Sequence, residues 1–437
     1  MRILSITAGA AGMYCGSCFR DNALAAELLA RGHDVTLLPL YTPTRTDEPN
    51  VSTRRVLFGG VSVYLQQHSA LFRKTPRLLD RLWDSPRLIR ALTGRAGSTD
   101  ARLLGDLTLS MLRGPDGVLR KEFDKLTDWI RGEPPPDVIN LPNSLLIGLA
   151  APLRQAVKAP ICCTLQGEEL FLNGLVPPYR DQAIALIREQ VRHVDRFVAV
   201  SEYCASFMSD LLRIPASRMA VVPLGIPMGG YERRHEEGEA FTIGYFARIS
   251  PEKGLHVLAD AYVRLRRRTG RAPMRLETAG YMASNQAAYL DDVRRRLSRA
   301  GLDGEFAYRG ELDRPGKISF LRGLDVLSVP ATYDEPKGMF VLEAMAGGVP
   351  CVQPRRGGLT EIIDKTGGGV LVEPDDPDAL ADALYALWSD RPSLRALSER
   401  AFLGVRTHYT IERSADRLLE VYGAVTADAQ ATKALGA

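Results

Sequence analysis

The chain is poor in the residues that would mark it as anything but an ordinary folded protein. Its 437 residues hold 6 cysteines, 6 histidines and 3 tryptophans. Six thiols in a chain this long do not make a disulfide scaffold. One C-x-x-C pair exists, Cys15 and Cys18, and with no second pair a structural zinc site lacks completing ligands. Thiols in a tight glycine loop and a redox pair are both open readings of it. Cys162 and Cys163 fall in an apolar, strand-like run and read as packing residues. An excess of one charge is also lacking: 56 basic residues against 52 acidic leave a formal net charge of +4. Nucleic acid would require a concentrated basic face, so it is not an expected partner. An uncharged, largely apolar run, Val138 to Leu153, is shorter than the roughly 20 residues that span a bilayer and contains Pro142, Asn143 and Pro152. Met1–Ala8 reads as an opening strand leading into a glycine loop rather than as a secretory signal. These absences predict a soluble, cytoplasmic protein.

What is present is an alternation of short apolar runs with longer helical stretches, the pattern of parallel sheets covered by helices. In the first half the strands are expected at Arg2–Thr7, Asp34–Leu38, Asp137–Leu141, Ile161–Leu165, Phe197–Val200 and Met219–Val222. Leu224–Gly230 then breaks regular structure and a charged stretch follows through Glu239, the best linker in the chain. The second half repeats the pattern, with strands expected at Phe241–Phe246, Met274–Ala279, Phe306–Tyr308, Leu324–Val329, Pro350–Gln353 and Gly369–Val372. The fold class is therefore α/β, with two doubly wound domains, 1–228 and 240–408, and a last helical segment, 409–437. In such sheets ligands bind beyond the carboxyl ends of the strands, so two sheets face to face would form a cleft. Residues about 71–122 interrupt the pattern. Arg73, Lys74, Arg77, Arg81, Arg87, Arg90 and Arg95 are interleaved there with Leu71, Phe72, Trp83 and other apolar residues. Such a basic amphipathic segment suits peripheral contact with an anionic membrane through residues 71–95, or a helical excursion packed on the first domain or beside the acceptor channel.

Two glutamates eight positions apart, Glu335 and Glu343, carry the most chemistry. Glu335 falls in a strand-to-helix loop and Glu343 a turn or so into the Ala-rich helix that Gly347-Gly348 closes. Amides at a helix start bind anions, so carboxylates before and inside it can hold hydroxyls on either side of a phosphate. A sugar nucleotide presents that pattern, with a diphosphate between a sugar and a ribose. Arg248 and Lys253 follow the second domain's first strand and precede a helix, where two cations would neutralise a diphosphate and stabilise it as a leaving group. Gly357-Gly358 follows a later strand and can bring amides, with the Thr360 hydroxyl, to the same strand ends. The first glycine loop, Ala8–Cys18, has no G-x-G-x-x-G, so a nicotinamide dinucleotide is poorly supported.

Gly32-His33-Asp34-Val35, Arg248-x4-Lys253, Glu335-x7-Glu343 and Gly-Gly-x-x-Glu at Gly357–Glu361 occur in that order. Together they resemble the retaining glycosyltransferases of family 4, which have the GT-B fold of two Rossmann-like domains. The resemblance is strongest over 240–400 and continues more weakly over 1–225. It implies a metal-independent enzyme without a cofactor, the nucleotide sugar (UDP- or GDP-type) being a substrate. The acceptor would be a hydroxyl of a glycan, lipid or small molecule. By the same resemblance Arg248 and Lys253 hold the diphosphate, Glu343 the ribose hydroxyls and Glu335 hydroxyls of the transferred sugar. Amides near Gly338, Met339 and Phe340 face the phosphate or sugar, and Gly16 is the first-domain glycine that closes over the donor. The last stretch, Tyr409–Tyr422, resembles the helix that crosses back to the first domain. One departure stands out: where the family commonly has a histidine contacting the donor sugar, this chain has Gln166, which can hydrogen-bond but cannot carry a proton. Glu168 and Glu169 just beyond are candidate acceptor contacts. A GT-B protein that binds a nucleotide sugar without turnover, and a sugar-nucleotide epimerase, are the competing readings.

Overall fold

The computed structural model describes residues 1–9, 15–58, 105–233 and 238–435. Two compact units emerge. Unit one is Met1–Pro223 with Ser414–Ala437, and unit two is Leu224–Arg413.

Unit one is built on a parallel sheet of six strands: β1 (Arg2–Thr7), β2 (Asp34–Pro39), β3 (Val138–Leu141), β4 (Ile161–Leu165), β5 (Arg196–Ala199) and β6 (Met219–Val221). Their order across the sheet is β2-β1-β3-β4-β5-β6, so the order reverses between β1 and β3. Val138–Leu141 and Ile161–Leu165 are buried along their whole lengths. Helices cover both faces of a parallel sheet, so its central strands read as continuous apolar runs rather than alternating ones. The two cysteines in Ile161–Leu165 are packing residues of this core. The helix Gly16–Ala30 follows β1 directly. From Ser414 the last helix, Ile411–Leu435, packs on this unit: Ser414 Oγ donates to the Pro223 carbonyl at 2.9 Å and Arg31 pairs with Asp416 at 2.5 Å.

Unit two repeats the design with β7 (Phe241–Phe246), β8 (Met274–Ala279), β9 (Phe306–Tyr308), β10 (Val326–Leu327), β11 (Cys351–Pro354) and β12 (Gly369–Val372), ordered β12-β11-β10-β7-β8-β9. Here the order reverses between β7 and β10. β10 is shorter than the expected Leu324–Val329, yet its pairing continues past its ends through Asp325 N to Thr242 O at 2.9 Å and Ser328 N to Gly244 O at 2.9 Å. The stretch from Leu224 packs with unit two, ahead of the expected boundary at 228, because Ile226 exchanges backbone bonds with Tyr409 and Ile411 at 3.0 and 3.1 Å.

The basic residues Arg73 to Arg95, on which the membrane expectation rests, lie outside the described residues. The later part of that segment forms the helix Gly105–Leu112 and the start of the helix Arg120–Gly132. Among the described residues no helix is long and apolar enough to cross a membrane.

Candidate active site

A doubly wound sheet offers a ligand the crevice at its switch point, where loops leave neighbouring strands in opposite directions. In unit two that point lies between β7 and β10, and the loops there are tied closely together. Gly254, in the loop after β7, has φ +73°, and a Cβ on it would stand 1.8 Å from the Pro330 carbonyl oxygen after β10. Thr332 N donates to the Glu252 carbonyl at 3.0 Å. The loop after β11 presses on the same point: Gly358 N donates to Glu335 O at 2.8 Å, and a Cβ on Gly357 would meet that oxygen at 2.6 Å. Glycine is required where backbones approach this closely.

Lys253 and Glu335 occupy the centre of this arrangement. The Lys253 ammonium pairs with Glu335 Oε2 and donates to the Tyr333 hydroxyl at 2.7 Å, while that hydroxyl donates in turn to Glu335 Oε2. The ammonium also lies 5.0 Å from the Tyr333 ring centre and 5.5 Å from that of Phe340, positions that favour a cation. Glu335 is buried, and burial pushes its carboxyl up. The Lys253 charge and the hydrogen bonds from Lys253 and Tyr333 outweigh this and hold it at about 2. Its other oxygen accepts from Lys337 N at 3.2 Å and Gly338 N at 3.5 Å. The carboxylate thus sits at the start of the helix Met339–Ala346, which Gly338 opens with φ +69°. The Met339 and Phe340 amides that follow are among the first of the helix, which have no carbonyl one turn earlier to bond.

Glu343 lies within the same helix, mostly buried, and its Oε1 accepts from Lys317 Nζ at 2.7 Å. Lys317 comes from the helix Arg314–Arg322, whose inward positions are Lys317 and Leu321, four apart. Arg248 is exposed and pairs with Glu252 at 2.6 Å. Thr360 lies half-buried in the helix Gly357–Thr366, behind Gly357 and Gly358. Arg356, just ahead of that helix, is bound by Asp375 at 2.6 Å and donates to the Ala331 carbonyl at 3.4 Å. Sequence reading of this unit did not single out Tyr333, Lys317 or Arg356. For Lys317 a signal existed: its i,i+4 spacing to Leu321 turns it inward, and a buried cation requires an acid partner.

In unit one, Gly16 is the first residue of its helix, after β1. Gln166 follows β4 and is buried. Its side-chain amide donates to the Pro142 carbonyl at 2.8 Å and its backbone N–H to Glu168 Oε2 at 2.8 Å. Glu168 Oε1 accepts from both the backbone N–H and the hydroxyl of Ser144, each at 2.9 Å. Its carboxylate is therefore a brace between two loops here. Glu169 is buried at the start of the short helix Glu169–Gly174. Asp21 is buried in the helix Gly16–Ala30; burial pushes its carboxyl up to about 6 against the pull of Arg20, Thr7 and Gln166.

The fold defined by these two Rossmann-like domains is GT-B. HepE of Anabaena, solved in complex with UDP, aligns over 97% of this chain and 100% of its own with a TM-score of 0.67 and 16% identity. Sucrose-phosphate synthase of Thermosynechococcus elongatus aligns over 98% and 100% with a TM-score of 0.72, also at 16% identity. In sequence, residues 22–225 match the glycosyl transferase 4-like domain and residues 232–403 match the glycosyl transferases group 1 domain. The two matches follow one another along most of the chain, which belongs to the family-4-type glycosyltransferases. Among its curated relatives are the lipopolysaccharide core biosynthesis mannosyltransferase LpsB of Rhizobium meliloti and the D-inositol 3-phosphate glycosyltransferase of Stackebrandtia nassauensis. The first is 30% identical over 41% of this chain and 50% of the relative, and the second 30% identical over 53% and 55%. The chain thus spans about half the length of the curated relatives it matches.

Proposed function

We propose that this chain is a retaining glycosyltransferase that moves a sugar from a UDP- or GDP-type nucleotide sugar to a hydroxyl of a glycan, lipid or small molecule. The observation that carries the reading is the convergence of Lys253, Glu335 and the start of the Met339–Ala346 helix at the switch point of unit two. The solved HepE complexes with UDP and with UDP-glucose support a nucleotide-sugar donor, and the relatives' names, a mannosyltransferase and a glycosyltransferase, support sugar transfer.

In this reading Arg248, Lys253 and the Met339 and Phe340 amides take up the charge that develops on the departing diphosphate, in place of a metal. Positioned donors of this kind act most strongly in the transition state. Glu335 orients hydroxyls of the transferred sugar. Glu343 binds the ribose diol, with Lys317 fixing one of its oxygens. Gly357, Gly358 and Thr360 complete the donor side. The acceptor proton passes to an oxygen of the leaving phosphate, so Gln166 has only to hydrogen-bond. Glu168 and Glu169 are assigned to the acceptor side.

The test is a panel of UDP-, GDP- and ADP-sugars offered with glycan, lipid and small-molecule hydroxyl acceptors. Product would be detected by mass and its anomeric configuration by NMR. Transfer with retained configuration is expected, and Lys253→Ala should lower it by roughly 10²–10³-fold. Silence across the panel, an inverted product, or release of a free epimer would contradict the reading.

A further inference from the structure

Cys15 and Cys18 stand at the opening of the helix Gly16–Ala30. Cys15 is its N-cap, with φ −125° and ψ 120°, and Cys18 is the third helical residue. A side chain at the N-cap is directed back toward the third helical residue, the geometry that serves the capping box. Here that geometry brings two sulfurs together, and the Cys15 and Cys18 side chains are in hydrogen-bond contact. Their exposures differ: Cys15 is half-buried, whereas Cys18 is 1% exposed and touched by the Thr7 hydroxyl at 3.9 Å. The other four cysteines are buried. Cys162 and Cys163 are consecutive on one strand and point to opposite faces, so they cannot pair with each other.

We propose that Cys15 and Cys18 form a reversible disulfide, with Cys15 as the attacking thiol and Cys18 as the resolving thiol. A C-x-x-C at a helix N-terminus favours the thiolate form of its accessible member. The oxidant is a low-molecular-weight disulfide. The Cys15 thiolate attacks one of its sulfurs, forming a mixed disulfide and expelling one thiolate. Cys18 then loses its proton and attacks the Cys15 sulfur, expelling the second thiolate. Two protein thiols become one disulfide, and the oxidant is reduced to two thiols. Asp21, one turn further along the helix, is a nearby base for the Cys18 proton, its carboxyl being pushed up to about 6 by burial. Gly16 lies between the two sulfurs in the chain, so closing the ring fixes the backbone at the residue assigned to donor closure. That consequence rests on the function proposed above, whereas the thiol chemistry does not.

The test uses the full chain, equilibrated in glutathione and glutathione disulfide mixtures of rising oxidation, then denatured and alkylated for peptide mapping. Cys15 and Cys18 should lose labelling together in one two-electron transition that dithiothreitol reverses, while Cys162, Cys163, Cys204 and Cys351 label fully. In Cys18→Ser, Cys15 should accumulate as the glutathione adduct, since nothing remains to resolve it. In Cys15→Ser, Cys18 should stay unmodified. Full labelling of both cysteines under strongly oxidising conditions, or a lasting glutathione adduct on Cys15 in the unaltered chain, would overturn the proposal. No outcome depends on glycosyl transfer, so the thiol pair and the proposed function fail separately.

Discussion

Lys317 Nζ donates to Glu343 Oε1 across 2.7 Å, joining two helices through an ion pair almost wholly out of water. A charge buried this far requires its partner: removing one member of a buried pair typically costs about 3–5 kcal/mol, because the other is left uncompensated. Lys317→Met should therefore destabilise the protein by about that much in urea unfolding. Lys317→Met combined with Glu343→Gln removes the stranded charge and should recover at least half of the loss. If the single and double variants were equally unstable, packing of the lysine stem rather than the charge pair would be the cause.

Glu335 predicts an acid-side signature. Its folded carboxyl is held at about 2 against an ordinary 4.5. A carboxyl lowered on folding contributes stability that is fully present above its unfolded pKa and is lost as pH falls toward the folded one. The contribution is on the order of 3 kcal/mol, lost between about pH 4.5 and 2. In Lys253→Met burial acts unopposed by that ammonium, so the Glu335 carboxyl should rise. The stability gap between the unaltered protein and Lys253→Met should be large at neutral pH and shrink on acidification, measured by urea unfolding at stepped pH. A gap independent of pH would show that the pair is not coupled to ionisation.

The general frame of both units was legible in the sequence, because buried parallel strands are written as uninterrupted apolar runs and glycine ends their loops. Glu335 and Glu343 were legible as a pair for the same local reason: one loop and one helix place both. The partners of these carboxylates were not. Tyr333 is an ordinary loop residue until the fold turns its hydroxyl onto Glu335, and Lys317 reaches Glu343 from another helix. Sequence spacing gives the face a residue occupies, but not which face from elsewhere meets it. Glu168 illustrates the same limit, since its brace to Ser144 spans 24 positions.

Gly254 should tolerate no side chain. It combines φ +73° with a would-be Cβ 1.8 Å from a backbone oxygen, and a backbone atom cannot swing aside. Gly254→Ala should cost more than about 2 kcal/mol, the range of strain and overpacking together. Gly229→Ala is the control: nothing lies within 4 Å of a Cβ there. That change should stay within about 0.5 kcal/mol by denaturant unfolding.

Glu168→Gln tests the brace in unit one. Both carboxylate oxygens accept hydrogen bonds, from Ser144 and from Gln166. An amide turns one acceptor into a donor facing a donor, leaving a buried group unsatisfied at a cost of about 1–3 kcal/mol. The loss should appear in the unfolding of the full chain, and hydrogen exchange should quicken at the Ser144 and Gln166 amides. Unchanged exchange there would mean the brace does not hold the loops.

The most direct measurement is calorimetric titration of UDP- and GDP-sugars into the unaltered protein, Lys253→Ala and Glu343→Ala, each shown to be folded by circular dichroism. Arg417→Ala, on the exposed surface of unit one, serves as the control. At least one donor should bind the unaltered protein and Arg417→Ala alike, and binding should weaken roughly 10–100-fold in each of the other two, the loss of a charged hydrogen bond. Donor binding of equal strength in Lys253→Ala and Glu343→Ala, or none at all in the unaltered protein, would contradict a nucleotide-sugar site built on Glu335, Glu343 and Lys253.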